Sequence, residues 1–375
     1  MKIQGIILSN QGIHLHRIIN PFAYMPQRDD MEFSMITQGL GEQNINCDIL
    51  IYNKYCITSI SKLKELKAQG MKIIVDVDDY WNVTPAHPQY DMFIKHNIGG
   101  MTEDHIRLAD IVFCTTMRLQ DKIRQSGLNK NTVVIPNALP FGYDQYTVGD
   151  RERGREISQN NKMRFMYLAR NNHGDDLQLL EGKFKRIGTE AFIYENAQFI
   201  WGGYNSAQKK IYATKEDFEK KTQNYKTQEV PAHKNDQYMA NVFRSTKSFV
   251  IYPTVDIEYY LNYYDSAEVA LAPLKENEWN KYKSPLKIIE AGCKHIPIMC
   301  SAVAPYYPDC VEFEQEGVIL IKHQEDWLKQ IRYCIKNPNY VKDMGEKLFE
   351  WTSKEFDLIR WNAVRQQVFE SLIYR

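Results

Sequence analysis

The feature that most restricts this chain is a rhythm in which short apolar runs alternate with amphipathic ones from the first residues onward. IQGIILS is followed by CDILIYN, then by ISKLKELKAQG running into MKIIVDVDD. The segment 59–68 places Ile60, Leu63, Leu66 and Lys67 at helical spacing, and Gly70 fits a C-terminal cap. Residues 73–75, IIV, form a continuous apolar run of the kind that a parallel sheet buries on both faces. TEDHIRLADIVFCTT predicts a helix capped at Thr102, with His105 at its third position, feeding a buried strand at 111–114. MRLQDKIRQSG and NTVVIPNAL repeat the cycle of helix, glycine and strand. Alternation of this kind implies a doubly wound α/β domain.

From about residue 141 to 162 the chain turns polar (VGDRERGREISQNNK), the best linker candidate. A second series then opens with MRFMYLA and passes through QFIWGG, SFVIYPTV, AEVALAPL, KIIEAG, IPIMCS and GVILIK. These read as short apolar strands separated by helix-like stretches. The final segment, FDLIRWNAVRQQVFESLIYR, carries Leu358, Ile359, Trp361, Val364, Val368, Phe369 and Leu372 at helical spacing and should pack along one face. A length of 375 residues suits two or three domains. Two α/β domains joined by a linker are the simplest arrangement.

Lys+Arg and Asp+Glu both number 47, which argues against a protein held on nucleic acid or membrane by bulk charge. Charged residues at 25% and hydrophobic ones at 43% exclude wholesale disorder and collagen-like repetition. The seven cysteines are odd in number, lack a C-x-x-C pair and sit mostly in apolar runs, so they read as buried thiols of a reducing compartment. Cys293 with His295 is the nearest approach to a zinc pair, and no second pair accompanies it. MKIQGIILSN lacks the long apolar core and cleavage site of a signal peptide, and no stretch approaches the roughly 18 apolar residues of a membrane span. The expectation is a cytoplasmic protein with no transmembrane segment, peripheral membrane contact and oligomeric state being left open.

Between Tyr204 and Lys247 basic residues outnumber acidic ones by nine to five, with four tyrosines interleaved. Such a strip suits an anionic or stacking ligand. A solvated insertion with charged helix faces explains it equally simply.

The most informative segment is NKYKSPLKIIEAGCKHIPIMCSAVA, residues 280–304. Ser284-Pro285 makes a good helix start, and Leu286 follows it. Lys287 and Glu290 then share one helical face near the positive end of the helix dipole, where an anion is favoured. Lys283 and Ser284 sit at that end. A diphosphate bound by the lysines and free amides would leave the Glu290 carboxylate to accept hydrogen bonds from a ribose diol.

This segment resembles the nucleotide-sugar motif of the GT-B glycosyltransferases, specifically the large retaining family that includes sucrose and bacterial polysaccharide synthases. The pattern K-S-x-x-K-x-x-E, followed by G-x-P-V and a serine, falls on Lys283, Ser284, Lys287, Glu290, Pro297 and Ser301. The family often carries another glutamate eight residues before this one, where Tyr282 stands here. MYLARNNHGDDLQLL resembles the first strand and loop of the family's C-terminal domain, matching His173, Asp176 and Leu177, with Arg170 as the nearest basic residue. NQGIHLHRIINPFAYM resembles its first glycine loop and helix, through Gly12, Arg17 and Pro21. VDVDDYW and VVIPNAL match later strand ends, so the likeness covers most of the chain.

The resemblance implies a GT-B fold, two Rossmann-like domains facing across a cleft, with the C-terminal helix crossing back to the N-terminal domain. The expected division is an acceptor-binding domain at 1–155, a nucleotide-sugar-binding domain at 156–350 and the returning helix at 351–375. It further implies a hexosyltransferase-like enzyme that moves a sugar from a UDP- or GDP-sugar substrate to a hydroxyl acceptor with retention, using no separate cofactor. Arg170, Lys283, Lys287 and His87 are the expected catalytic residues. Gly12, His173, Ser284, Pro285, Leu286 and Glu290 are expected at the donor, and Arg17, Asp78 and Asp79 at the acceptor. That acceptor is expected to be a surface glycan or lipid-linked precursor. Hydroxymethylated DNA, as for phage relatives, and a noncatalytic nucleotide-sugar-binding protein are the alternatives.

Asp76, Asp78 and Asp79 invite a magnesium reading, since a D-x-D can chelate a metal on a sugar diphosphate. The GT-B likeness instead implies diphosphate binding without metal, leaving Asp78 and Asp79 as acceptor-site or loop-capping residues. His87, with His96 and His105 the nearby imidazoles, suits either the transferred sugar or a structural role. No G-x-S-x-G elbow, P-loop or H-E-x-x-H occurs, and WGG and NIGG lack the context of a dinucleotide fingerprint.

Overall fold

The computed structural model describes residues 1–8, 12–37, 45–56, 58–85, 87, 89–149, 161–205, 234–306 and 316–374. They divide into two compact units: Met1–Pro140 with Asn277–Leu286 and Phe356–Arg375, and Phe141–Glu276 with Lys287–Glu355.

The first unit is built on six strands, β1 (Lys2–Ile7), β2 (Glu32–Thr37), β3 (Ile49–Asn53), β4 (Lys72–Val77), β5 (Ile111–Cys114) and β6 (Thr132–Val134). They lie in the order β2-β1-β3-β4-β5-β6 with every neighbour parallel. Both faces of the sheet are covered, as continuous apolar strands require. Ile49, Ile51, Ile74 and Phe113 point to one face, where they meet Ile18, Phe22 and Phe369. Leu50, Tyr52, Ile73, Val75, Val112 and Cys114 point to the other, against Leu63, Leu66, Ile106, Leu119 and Ile123. The predicted strands at 73–75 and 111–114 are therefore present. So is the helix Ile60–Ala68, whose Ser59 hydroxyl accepts from the Lys62 N–H at 3.2 Å. Gly70 follows with φ +102°, the left-handed turn that glycine supplies.

The second unit repeats the plan with β7 (Met163–Leu168), β8 (Ala197–Tyr204), β9 (Phe249–Pro253), β10 (Val269–Ala272), β11 (Ile298–Ser301) and β12 (Val318–Ile321). Their order is β12-β11-β10-β7-β8-β9, again parallel throughout. Phe165, Phe199 and Trp201 pack with Leu177, Phe184 and Phe243 from the helices Gly174–Ile187 and Lys234–Arg244.

Two local expectations differ from the structure. The helix at Thr102 begins earlier, spanning Ile98–Leu108, and the Thr102 hydroxyl donates to the Ile98 carbonyl at 2.9 Å inside it. A threonine hydroxyl can bond back within a helix as well as cap one, so local sequence does not separate the two. KIIEAG, grouped by composition among the apolar runs, is helical within Leu286–Cys293, as the Ser284-Pro285 start and the spacing of Lys287 and Glu290 predict. The borders of the first unit fall at 140/141, 276/277, 286/287 and 355/356, beside the 155/156 and 350/351 that the resemblance implies. Leu139 explains 140/141 and 355/356: its N–H donates to the Phe356 carbonyl and its carbonyl accepts from the Leu358 N–H, both at 3.0 Å. That pairing brings the helix Leu358–Ile373 back to the first unit, where Phe369 joins the core, as the resemblance implies.

Of the cysteines, Cys56, Cys114, Cys293, Cys300 and Cys334 are buried and Cys47 is half-buried. Cys310 lies outside the described residues, as do positions 150–160 of the linker and 206–233 of the basic strip. Among the described residues no helix is long and apolar enough to cross a membrane.

Gly5 shows how tightly the first sheet meets its helix, because a Cβ there would lie 2.6 Å from Ile18 Cγ2 and 3.0 Å from Phe22 Cε2. Gly5→Ala should lower stability by about 1–3 kcal/mol, seen as a lower denaturant midpoint. Gly182→Ala, in an exposed helical position with nothing within 4 Å of the added carbon, should instead raise it by about 0.5–1 kcal/mol.

Candidate active site

In open parallel sheets ligands bind beyond the carboxyl ends of the strands, where the strand order reverses. In the second sheet that point lies between β7 and β10. The exit of β7 is set by a bulge in β8. Gly203 adopts φ +117°, and a Cβ there would sit 2.5 Å from the Ala169 carbonyl oxygen. Trp201 Nε1 donates to that same oxygen at 2.8 Å. WGG is thus a close approach of two backbones. The chain then exposes Arg170 and turns through Asn171–His173 into the helix Gly174–Ile187.

His173 Nδ1 lies 2.9 Å from Asp176 Oδ2, and Asp176 Oδ1 accepts the Lys275 N–H at 2.9 Å. Asp176, only 5% exposed, therefore joins the turn after β7 to the loop after β10. Ser301, at the end of β11, accepts the Leu274 N–H at 3.0 Å and steadies the same loop. Lys287 and Glu290 form an ion pair of 2.7 Å at the start of the helix Leu286–Cys293. Glu290 Oε1 also accepts from the Tyr260 hydroxyl at 2.7 Å. Burial, and after it the Glu290 charge, push Tyr260 and Tyr264 well above the usual phenol range, so both stay protonated donors. Glu290 is consequently engaged already by its own surroundings, where the sequence leaves it open for a ribose. Tyr260 and Tyr264, from the β9–β10 connection, and Lys275, from the loop after β10, escape sequence reasoning because each reaches this edge from a segment distant from its partner.

In the first unit, Gly12 opens a helical run at 12–23 that widens over Leu15–Ile19, where the Asn20 N–H reaches the Leu15 carbonyl. Arg17, on this widened turn, grips both oxygens of Asp76 through Nε (2.9 and 3.1 Å) and Nη2 (2.8 Å). Both side chains are 0% exposed, so Arg17 reaches no ligand at the surface directly. Its Nη1 donates to Asn137 Oδ1 at 3.2 Å, and Asn137 Nδ2 donates to the Ser284 hydroxyl at 2.6 Å. Pro285 follows Ser284 just ahead of the helix that Leu286 opens.

Asp78 and Asp79 stand where β4 ends. Asp78 is met by Lys54 Nζ at 3.0 Å and Asn53 Nδ2 at 3.1 Å, and the charge of Lys54 is the main influence holding its carboxyl low against burial. Asp79 is pushed up to about 6 by burial and by Asp78, with Lys54 and Lys283 opposing. Lys283 Nζ lies 4.0 Å over the Trp279 ring, and the His87 ring packs edge-on against Trp279 at 4.6 Å. Tyr282 packs on Tyr80 at 4.9 Å and donates its hydroxyl to Glu278 at 3.0 Å. His105 is a core residue beside the Tyr52 hydroxyl at 2.8 Å, and burial presses it down to about 4, so the ring is neutral. Among the described residues no group of three or more His, Cys, Asp or Glu is placed to hold a metal ion.

The structure thus gathers Arg170, His173, Lys287 and Glu290 in one unit. Gly12, Arg17, Asp78, Asp79, His87, Lys283 and Ser284 are in the other.

No family model matches this sequence, and no curated protein does. Solved structures do. Sucrose-phosphate synthase from Thermosynechococcus elongatus is similar over 100% of this chain and 99% of its own, at TM-score 0.68 and 12% identity. HepE of Anabaena, solved with UDP and glucose, covers 99% of this chain and 100% of its own, at TM-score 0.65 and 14% identity. A glycosyltransferase from Rickettsia africae covers 99% and 98%, at TM-score 0.62 and 12% identity. The fold is that of the GT-B glycosyltransferases.

Because the carboxyl of Asp79 is raised in the folded state, its contribution to stability is complete below about pH 4 and is lost as pH rises through about 6. Asp79→Asn should therefore exceed the parent in stability at pH 7.5, by on the order of 1 kcal/mol, and the difference should fade toward pH 4. Urea unfolding at the two pH values checks both the sign and the fading.

Proposed function

We propose that this chain is a glycosyltransferase that moves a sugar from a nucleotide-diphosphate donor to a hydroxyl acceptor with retention of configuration. The observation that carries the reading is the convergence of Arg170, the His173–Asp176 pair and the Lys287–Glu290 pair on the carboxyl edge of the second sheet, at its switch point. Three kinds of group needed for a sugar nucleotide stand there: cations, Arg170 exposed and Lys287 half-buried, a helix start and a carboxylate. HepE was solved with UDP-glucose, and another similar structure, from E. coli, with UDP-2-fluoro glucose, so a UDP-sugar is the first donor to test.

In the proposed reaction the bond between the anomeric carbon and the β-phosphate oxygen breaks as the acceptor oxygen bonds to that carbon on the same face. The acceptor proton passes to the departing phosphate oxygen, so no carboxylate nucleophile is required. Negative charge grows on the diphosphate, and Arg170 and Lys287 act by stabilising it. Lys283 and Ser284, expected at the donor, precede Lys287 in the chain and belong to the first unit. Glu290 orients the nucleotide, and Tyr260 holds Glu290. Asp78 and Asp79 serve the acceptor and His87 the transferred sugar, whereas Arg17 positions the edge from within. A surface glycan or a lipid-linked precursor is the proposed acceptor.

Addition of UDP-glucose at a hundred times its dissociation constant should stabilise the protein by about 2.7 kcal/mol, measurable as a rise in Tm. Lys287→Ala and Glu290→Ala should each reduce kcat/KM at least tenfold and weaken UDP binding. If both variants fold, bind UDP and turn over like the parent, the assignment is wrong. Binding of UDP-glucose without transfer to any acceptor would make the chain a nucleotide-sugar-binding protein.

A further inference from the structure

Beside the Arg17–Asp76 pair lies a second buried guanidinium, Arg365, contributed by the helix Leu358–Ile373 and 1% exposed. Its Nη1 donates to Asn362 Oδ1 at 3.1 Å. Asn362 is fixed in turn by donating to the Pro21 carbonyl at 2.9 Å. Nε and Nη2 of Arg365 are buried and meet no acceptor among the described residues. These two nitrogens form the side-on fork of a guanidinium, the same edge with which Arg17 holds both oxygens of Asp76. Of two buried arginines in the first unit, Arg17 thus has its fork filled by Asp76, while the fork of Arg365 meets no acceptor among the described residues.

Burial and the Arg17 charge press Arg365 down to about 9, Asp76 opposing them, yet at neutral pH the group remains a cation. Charged donors left buried and unmade carry a heavy desolvation cost. A water would satisfy one or two N–H groups and leave the excess positive charge in place. A planar anion with two oxygens matches both the charge and the spacing of the fork.

We propose that the Nε/Nη2 edge of Arg365 binds a small oxyanion of the carboxylate or bicarbonate class, two oxygens to two N–H groups, as Asp76 is bound on Arg17. Each buried arginine then has its own anion, and the oxyanion fastens the returning C-terminal helix to the core of the first unit.

The test follows thermal unfolding of the full-length protein as sodium formate or sodium bicarbonate replaces sodium chloride at constant pH and ionic strength. A saturable rise of a few degrees in Tm is expected in at least one arm, and the two arms tell a carboxylate from bicarbonate. Arg365→Met should abolish the rise. A flat Tm in both arms, or an equal rise in Arg365→Met, overturns the proposal. A crystal structure grown in the same salt should place planar density against Nε and Nη2, independently of how the variant folds. A lone water, a chloride or an oxygen of the protein's own side chains at that edge overturns it as well.

Discussion

The ion pair between Arg17 and Asp76 organises the carboxyl edge of the first sheet. Both side chains are wholly buried, and the guanidinium spends all three nitrogens inside the protein, two on Asp76 and one on Asn137. Such a pair survives desolvation only when its geometry is complete, and losing one partner leaves a bare charge in the core. Its position is what matters structurally. Arg17 comes from the helical run after β1, Asp76 from β4 and Asn137 from the segment after β6, and Asn137 passes the linkage on to Ser284. Four stretches distant in sequence are thereby brought to one register.

That anchoring explains why neighbouring aspartates behave differently. Asp76 lies within β4 and turns inward to Arg17. Asp78 and Asp79 lie past the strand end, where Lys54 neutralises the first and the first raises the second. One run of sequence, VDVDDYW, therefore supplies a structural carboxylate, a salt-bridged one and one with its carboxyl raised into the range of mild pH. The second sheet solves the same problem with a backbone device. Gly203 allows the chain within contact of Ala169, and Asp176 ties the two loops that flank the switch point. In both units the strands are mainly apolar, buried charges within them such as Asp76 and Arg164 are ion-paired, and most of the polar site residues stand at or beyond the strand ends.

Much of this was legible beforehand. The βα rhythm, the caps at Ser59 and Gly70 and the amphipathic final helix depend on neighbours three or four residues apart, so local sequence contains them. The Lys287–Glu290 pair is local too, one helical turn apart, and forms as its spacing suggests. The helix start near Thr102 is not legible locally, because a threonine hydroxyl can cap a helix or bond back within one.

The sequence by itself determined two doubly wound α/β units and the identity of the polar motifs at their strand ends, since periodicity and turn chemistry act over short spans. Only the tertiary structure decided which of those polar residues face inward. Arg17 is spent on Asp76, Glu290 is held by Tyr260 and Lys287, and Arg365 is buried beside another arginine. Burial and long-range partners set the role of a charged side chain, and both come from segments that meet only when the sheet closes over its helices.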